Sequence, residues 1–249
     1  MMSLLEVKNL KKIYHDKSGE VLALDNVNFE LEKEEFIAIV GPSGCGKSTI
    51  LSILSNLENK SDGDIKFNVK NPKIGYMLQN DALFDNRTIL QNSLLGLEVT
   101  NTLTNESKEK VISLLKTYGL EDFINKYPKS LSGGMRQRVA LIRTLALDPD
   151  ILLLDEPFSA LDYQTRLAVS DDVYKIIKNE KKSAIIVTHD LSEAISIADK
   201  VLVLSKRPAK VKNIYQIDLI GKTTPIENRK LDGFGKYYDL IWKDLDIHV

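Results

Sequence analysis

The chain has 249 residues, with 34 basic and 35 acidic side chains, a net charge of −1 and a single cysteine. That balance gives no support to nucleic-acid binding by bulk electrostatics; the lone thiol excludes an internal disulfide framework, and no apolar run approaches the ~18–20 residues that cross a bilayer. The first residues lack the charged-then-apolar layout of a signal peptide, so the chain is expected in the cytoplasm, with any membrane role coming through a partner.

Leu5-Glu6-Val7-Lys8-Asn9-Leu10 and Val27-Asn28-Phe29-Glu30-Leu31 alternate apolar and polar side chains and predict strands, with a polar turn over residues 15–20 between them. Tyr14 stands just before that turn. Its ring either stacks on the flat face of a nucleobase or packs on a strand neighbour. Phe36-Ile37-Ala38-Ile39-Val40 is a short apolar strand leading into Gly41-Pro42-Ser43-Gly44-Cys45-Gly46-Lys47-Ser48-Thr49. This loop fits G-x-x-x-x-G-K-[ST], and Ile50-Leu51-Ser52-Ile53-Leu54 continues as a helix with one apolar side. Glycines let several N–H groups converge on one anion, and the helix start adds its positive dipole end. Lys47 supplies a full charge to the outer phosphates, and the Ser48 hydroxyl is placed for Mg²⁺. Cys45 lies inside the loop, where either a bound nucleotide shields it from thiol reagents or it is a small filler residue.

Residues 63–67 and 74–78 read as further strands, the second ending at Gln79, whose amide can ligate Mg²⁺ and position water. After residue 80 the character changes. A cap-like stretch over residues 101–105 precedes a helix carrying Val111, Leu114, Leu115 and Tyr118 on one side, stopped by Gly119. A second short helix is expected over residues 121–126, before Pro128. Leu131-Ser132-Gly133-Gly134-Met135 then opens a helix to about Leu147, with an apolar stripe of Val139, Ile142, Leu145 and Ala146. Ser132 is either an ordinary cap or, with the glycines, part of a second anion site.

Ile151-Leu152-Leu153-Leu154 is a buried-type parallel strand that runs into Asp155-Glu156, and Ser159-Ala160-Leu161-Asp162 follows. Carboxylates at such a strand end stand where α/β sheets place ligands. Ala184-Ile185-Ile186-Val187-Thr188 is another apolar strand, ending at His189. Asp190 and Glu193 have the spacing of a capping box for the next helix. Val201-Leu202-Val203-Leu204 closes the core, residues 211–217 suit an edge strand, and residues 226–245 suit a small helical tail containing Trp242.

Taken together, the phosphate loop, the strand-end glutamine, LSGGM, ILLLDEP, SALD and the strand-end histidine resemble the ATP-binding subunit of an ABC transporter over about residues 4–210. The resemblance implies an α/β P-loop NTPase (RecA-like) core with an antiparallel β subdomain and an inserted α-helical subdomain. It divides the chain into a core of residues 1–79 and 148–217, a helical subdomain of residues 80–147 and a tail of residues 218–249. By the same resemblance, residues 41–49 and Tyr14 bind ATP, and Ser48, Gln79 and Asp155 hold Mg²⁺. Glu156, His189, Gln79 and Lys47 serve hydrolysis. Asp162 is the D-loop acid, and Ser132, Gly133 and Gly134 form the signature that caps the nucleotide of a second, head-to-tail subunit.

Transmembrane permease subunits and, indirectly, an extracytoplasmic solute-binding protein are the further partners implied, at the cytoplasmic face of the membrane. Residues 81–88 are the candidate permease contact, the alternative being a solvated loop. Two departures stand out: Met135 where glutamine is commoner, and Lys129-Ser130 without an acid before the signature. Residues 75–79, 162–166 and 204–208 are similar to the importer subgroup for nitrate, taurine, alkanesulfonates and thiamine-precursor pyrimidines. The competing readings are a non-transport ABC ATPase of DNA repair or translation, and a small-molecule P-loop kinase.

Overall fold

A computed structural model of the chain describes residues 3–16 and 19–245. Among these, β1 (Leu5–Asp16) pairs antiparallel with β2 (Gly19–Leu31) and with β4 (Asp62–Phe67), giving a three-stranded sheet ordered β2-β1-β4. The polar turn expected over residues 15–20 is tighter than that. Pairing continues to Asp16↔Gly19, and residues 17 and 18 lie outside the described residues.

The second sheet has six strands, ordered β5 (Ile74–Met77), β6 (Ile151–Asp155), β7 (Ser183–Val187), β3 (Phe36–Val40), β8 (Lys200–Leu204) and β9 (Val211–Gln216). β5 through β8 in that order run parallel, and β9 finishes the edge antiparallel to β8. β3 and β7 are buried at every position, which is why they read as unbroken apolar runs. Parallel pairing brings the C-terminal ends of β5, β6, β7 and β3 side by side.

One face of this sheet is covered by α1 (Lys47–Leu54) and the three-stranded sheet, with Ile50, Leu51 and Leu54 packed among Ile37, Ile39 and Leu153. The other face is covered by α4 (Gly133–Leu145), α5 (Tyr163–Asn179), α6 (Leu191–Ile197) and α8 (Phe234–Asp244). α7 (Pro225–Asn228) bridges α5 and α6: Asp171 accepts from Ile226 N–H at 3.2 Å, and Asn228 donates to the Ser196 carbonyl at 2.8 Å. A separate apolar cluster joins α2 (Ile89–Val99), α3 (Asn105–Thr117) and α4 around Leu94, Leu115 and Val139.

Three local readings are corrected. Residues 121–126 do not form an α-helix; they give a 3₁₀ turn at Glu121–Phe123, and a second follows at Pro128–Ser130. The carbonyls of Ile124 and Lys126 instead accept from Leu90 and Ile89 at the start of α2, satisfying donors that a helix leaves open. α2 itself was not anticipated, although Thr88 and Gln91 form a reciprocal capping box before it. At α6, Asp190 caps Glu193 N–H at 3.0 Å, but the box is not reciprocal. Thr188 Oγ1 takes the Asp190 N–H at 3.1 Å, while Glu193 is buried.

Candidate active site

The phosphate-type loop turns at the end of β3 and runs into α1. Gly44 and Gly46 have φ of 69° and 126°, the left-handed region that glycine enters without strain. Gly41 is required for a different reason: a Cβ there would lie 3.0 Å from Cys45 Sγ and 3.1 Å from Leu204 Cβ. Lys47 is 7% exposed, and its ammonium donates to the carbonyls of Gly41 at 2.9 Å and Pro42 at 3.1 Å. The cation is thus held against the loop that it follows.

Cys45 departs from expectation. It is 1% exposed and packs into the core beside Ile50 and Leu51, and burial pushes its thiol up. Nucleotide shielding of the thiol is therefore not a usable test, because the sulfur is already covered and poorly ionised.

The strand ends supply the reactive side chains. Ser48 Oγ donates to Asp155 Oδ1 at 3.0 Å, and Tyr76 on β5 donates to Asp155 Oδ2 at 3.1 Å. Burial pushes the Asp155 carboxyl up, against the pull of these two hydroxyls. Burial and the neighbouring Asp155 carry Tyr76 up to about 12, so it remains a donor. Glu156 follows with φ of +46°, and its N–H bonds the Val187 carbonyl of β7 at 2.9 Å.

Glu156 Oε2 accepts from Gln79 Nε2 at 3.4 Å, and His189 Nδ1 lies 3.4 Å from the same oxygen. Gln79 also donates to Ser159 Oγ at 3.2 Å, and Ser159 returns to the Glu156 carbonyl at 3.0 Å. Residues separated by up to 110 positions in the chain thereby meet around one carboxylate.

Tyr14 reaches the same region from β1. Its hydroxyl donates to Glu58 at 2.6 Å and lies 3.3 Å from Thr49 Oγ1, while Lys12 Nζ stands 4.7 Å over the ring. The signature residues lie elsewhere in the chain's own fold. Ser132 caps α4 by accepting from Met135 N–H at 3.3 Å. An added Cβ at Gly133 would meet Leu161 Cδ2, in the segment before α5, at 2.9 Å, and one at Gly134 would meet Val169 Cγ2 on α5 at 2.5 Å. Asp162 caps α5 by accepting from Thr165 N–H at 3.1 Å, and the Thr165 side chain, followed by that N–H, lowers its pKa.

Some partners went unread in the sequence. Tyr76 is one; the available signal was a polar-tipped aromatic on the strand that ends at Gln79. Ser159 is another, visible only as part of Ser159-Ala160-Leu161-Asp162. The segment over residues 81–88 is also more ordered than a solvated loop. Arg136 grips the Asp81 carboxylate at 2.7 and 3.0 Å, and Arg143 donates to the Asp81 and Ala82 carbonyls at 2.7 and 2.8 Å. Phe84 remains 51% exposed on that anchored segment.

Comparison with known proteins identifies the family. Residues 24–159 match the family described as ABC transporter. The chain is 43% identical to an uncharacterized ABC transporter ATP-binding protein of Bacillus subtilis, over 98% of this chain and 96% of the relative. It is 36% identical to the aliphatic sulfonates import ATP-binding protein of Bacillus cereus, covering 85% of each. It is 37% identical to the nitrate import ATP-binding protein of Synechocystis, over 90% of this chain and 86% of the relative. Among solved structures, the dimeric post-hydrolysis state of an ATP-binding cassette bound to ADP and Pi superposes with a TM-score of 0.71 at 31% identity, covering 86% of this chain and 99% of that one. The chain belongs to the ABC transporter family, as one of its ATP-binding and ATP-hydrolysing subunits.

Proposed function

We propose that this chain binds ATP with Mg²⁺ on residues 41–49 and hydrolyses it, in a head-to-tail pair, to drive import of a small solute. The observation that carries this reading is the convergence of Gln79, Asp155, Glu156 and His189 on adjacent strand ends beside the loop. Ser48 and Asp155 fit a magnesium ion: a hydroxyl and a carboxylate 3.0 Å apart are hard oxygen donors, and Mg²⁺ takes few protein ligands beside waters and phosphates. Gln79 is the further candidate ligand. The metal, when bound, neutralises charge on the phosphates and polarises the transferred group.

The chain's own groups do the rest. Lys47 and the loop N–H groups bind the phosphates, and Tyr14 lines the base. Glu156 orients the attacking water through its carboxylate, which has two oxygens and several lone pairs to share. Gln79 and His189 hold that carboxylate in place, and His189 contacts the terminal phosphate or the attacking water. Ser132, Gly133 and Gly134 of one copy, with its Asp162, close on the loop of the other.

Relatives named for sulfonate and nitrate import support an importer at the cytoplasmic face of the membrane, for a solute of the nitrate, sulfonate, taurine or thiamine-precursor pyrimidine type. The anchored segment over residues 81–88, with exposed Phe84, is the proposed permease contact. Glu156→Gln tests the catalytic assignment. It should bind ATP as the parent does, slow turnover by about a hundredfold or more and accumulate an ATP-dependent dimer on size exclusion. Undiminished turnover would remove Glu156 from the mechanism.

A further inference from the structure

The connection between β8 and β9 carries an arginine that the site described above does not use. Arg207 Nη2 donates to the Gly44 carbonyl at 2.7 Å. Gly44 is the left-handed glycine in the middle of the phosphate loop. The N–H at the other end of that peptide, Cys45 N–H, points to the Pro42 carbonyl at 3.2 Å. One peptide plane is therefore fixed from both sides.

Two more carbonyls of the loop are held by a cation. Gly41 and Pro42 carbonyls are taken by the Lys47 ammonium. Cations collect the carbonyls of Gly41, Pro42 and Gly44. A carbonyl bound to a cation is not left to repel an incoming phosphate, which suits an anion cradle. Lys47 belongs to the loop motif itself, whereas Arg207 arrives from a segment more than 150 residues later in the chain.

The turn that delivers Arg207 is firmly seated. Ala209 exchanges backbone bonds with β2, its N–H to the Ala23 carbonyl and its carbonyl from Asp25 N–H, each at 2.9 Å. Lys210 pairs with Asp25 at 2.9 Å, and Ser205 Oγ bonds the Lys206 and Pro208 carbonyls and the Lys210 N–H. Arg207 itself is exposed.

We propose that Arg207 is a positioning residue for the nucleotide: by holding the Gly44 carbonyl it sets the phosphate loop in its anion-binding form before ATP arrives. This deepens the reading of residues 41–49 as the nucleotide cradle and rests on it. A charge-assisted bond to a backbone carbonyl is a strong anchor, and removing it makes the loop spend binding energy on its own ordering. The effect belongs to the cradle that ADP and ATP share, so both lose affinity together.

The experiment titrates fluorescent ADP and ATP analogues into the full-length chain and into Arg207→Ala and Arg207→Lys, with ATPase kinetics and thermal melting without nucleotide. Arg207→Ala should weaken both nucleotides about tenfold, with the loss carried by KM while kcat and melting hold. Arg207→Lys keeps a charged donor and should recover most of the affinity. If the alanine variant does not fold, Arg207→Met, with a similar stem and no donor, carries the same expectation. Parental affinity for both nucleotides in the donor-free variant overturns the proposal; so does a loss confined to kcat, or one that tracks a fall in melting temperature. Failure of the parent chain to bind nucleotide would instead bring down the cradle reading itself.

Discussion

Glu156 occupies a left-handed backbone conformation, φ +46°, which costs a side chain with a Cβ about 1–2 kcal/mol. The bond from its N–H to Val187 holds it there, so the carboxylate leaves the end of β6 toward Gln79 and His189. Behind this site, Glu193 is 3% exposed, and burial and the nearby Asp190 push its carboxyl up to about 8, against the pull of Thr188, Arg166 and Arg229. Its Oε1 has no hydrogen-bond partner. The folded chain therefore keeps a proton that an unfolded one releases near 4.5. Between those values the folded state binds more protons, so this group's contribution is intact below pH 4.5 and drains away as pH rises toward 8. Glu193→Gln, which mimics the protonated form, should flatten that decline and be the more stable protein at pH 8 by a few kcal/mol. Denaturant titrations at pH 5, 6.5 and 8 measure it; parallel curves for the two proteins would rule it out. Residues of this kind divide by how they can be read. Gln79, Asp155, Glu156 and His189 were legible because polar groups that terminate apolar runs stand out. The burial of Cys45 and Glu193 was not, since it depends on which way a loop or a short helix turns in space.

Among the elements, α4 and α5 show a demand that the anion-binding reading of the signature had not included. Gly134 lets α4 approach α5 so closely that an added Cβ would sit 2.5 Å from Val169 Cγ2. Gly134→Ala should therefore destabilise the chain by about 1–3 kcal/mol through overpacking. Pairing it with Val169→Ala should return part of that loss, because the two changes meet at one contact. Calorimetric melting of both singles and the double decides it, and strict additivity would refute the packing argument. Helices with apolar stripes, α3 and α4, were readable from their period. α2 was hidden because buried Asn92 and Ser93 interrupt its apolar face, and its start was written in Thr88 and Gln91. The stretch after α3 misled because propensity favoured a helix, while its carbonyls were needed at the open end of α2. α5 had no reading at all, though Asp162 stood at its cap.

For the molecule as a whole, the signature and the loop occupy separate parts of one chain, and the proposed pair brings them together between copies. Two inactive variants test this without a permease. Ser132→Glu retains a sound loop, and Lys47→Ala retains a sound signature. Mixed, they form pairs in which one composite site is complete, so ATPase activity should return on mixing although each alone is inert. No recovery would argue against sites shared between subunits. The order of the main sheet was only partly legible: parallel strands could be named from their apolar runs, but not which strand lies beside which. That order has a bearing on biosynthesis. β3, which carries the loop, pairs with β7 and β8 and with no earlier strand. A chain emerging from the ribosome therefore lacks the sheet partners of β3 until residues 183–204 have been made. Asp155 and Glu156, the carboxylates of the site, precede both of those partner strands in the chain.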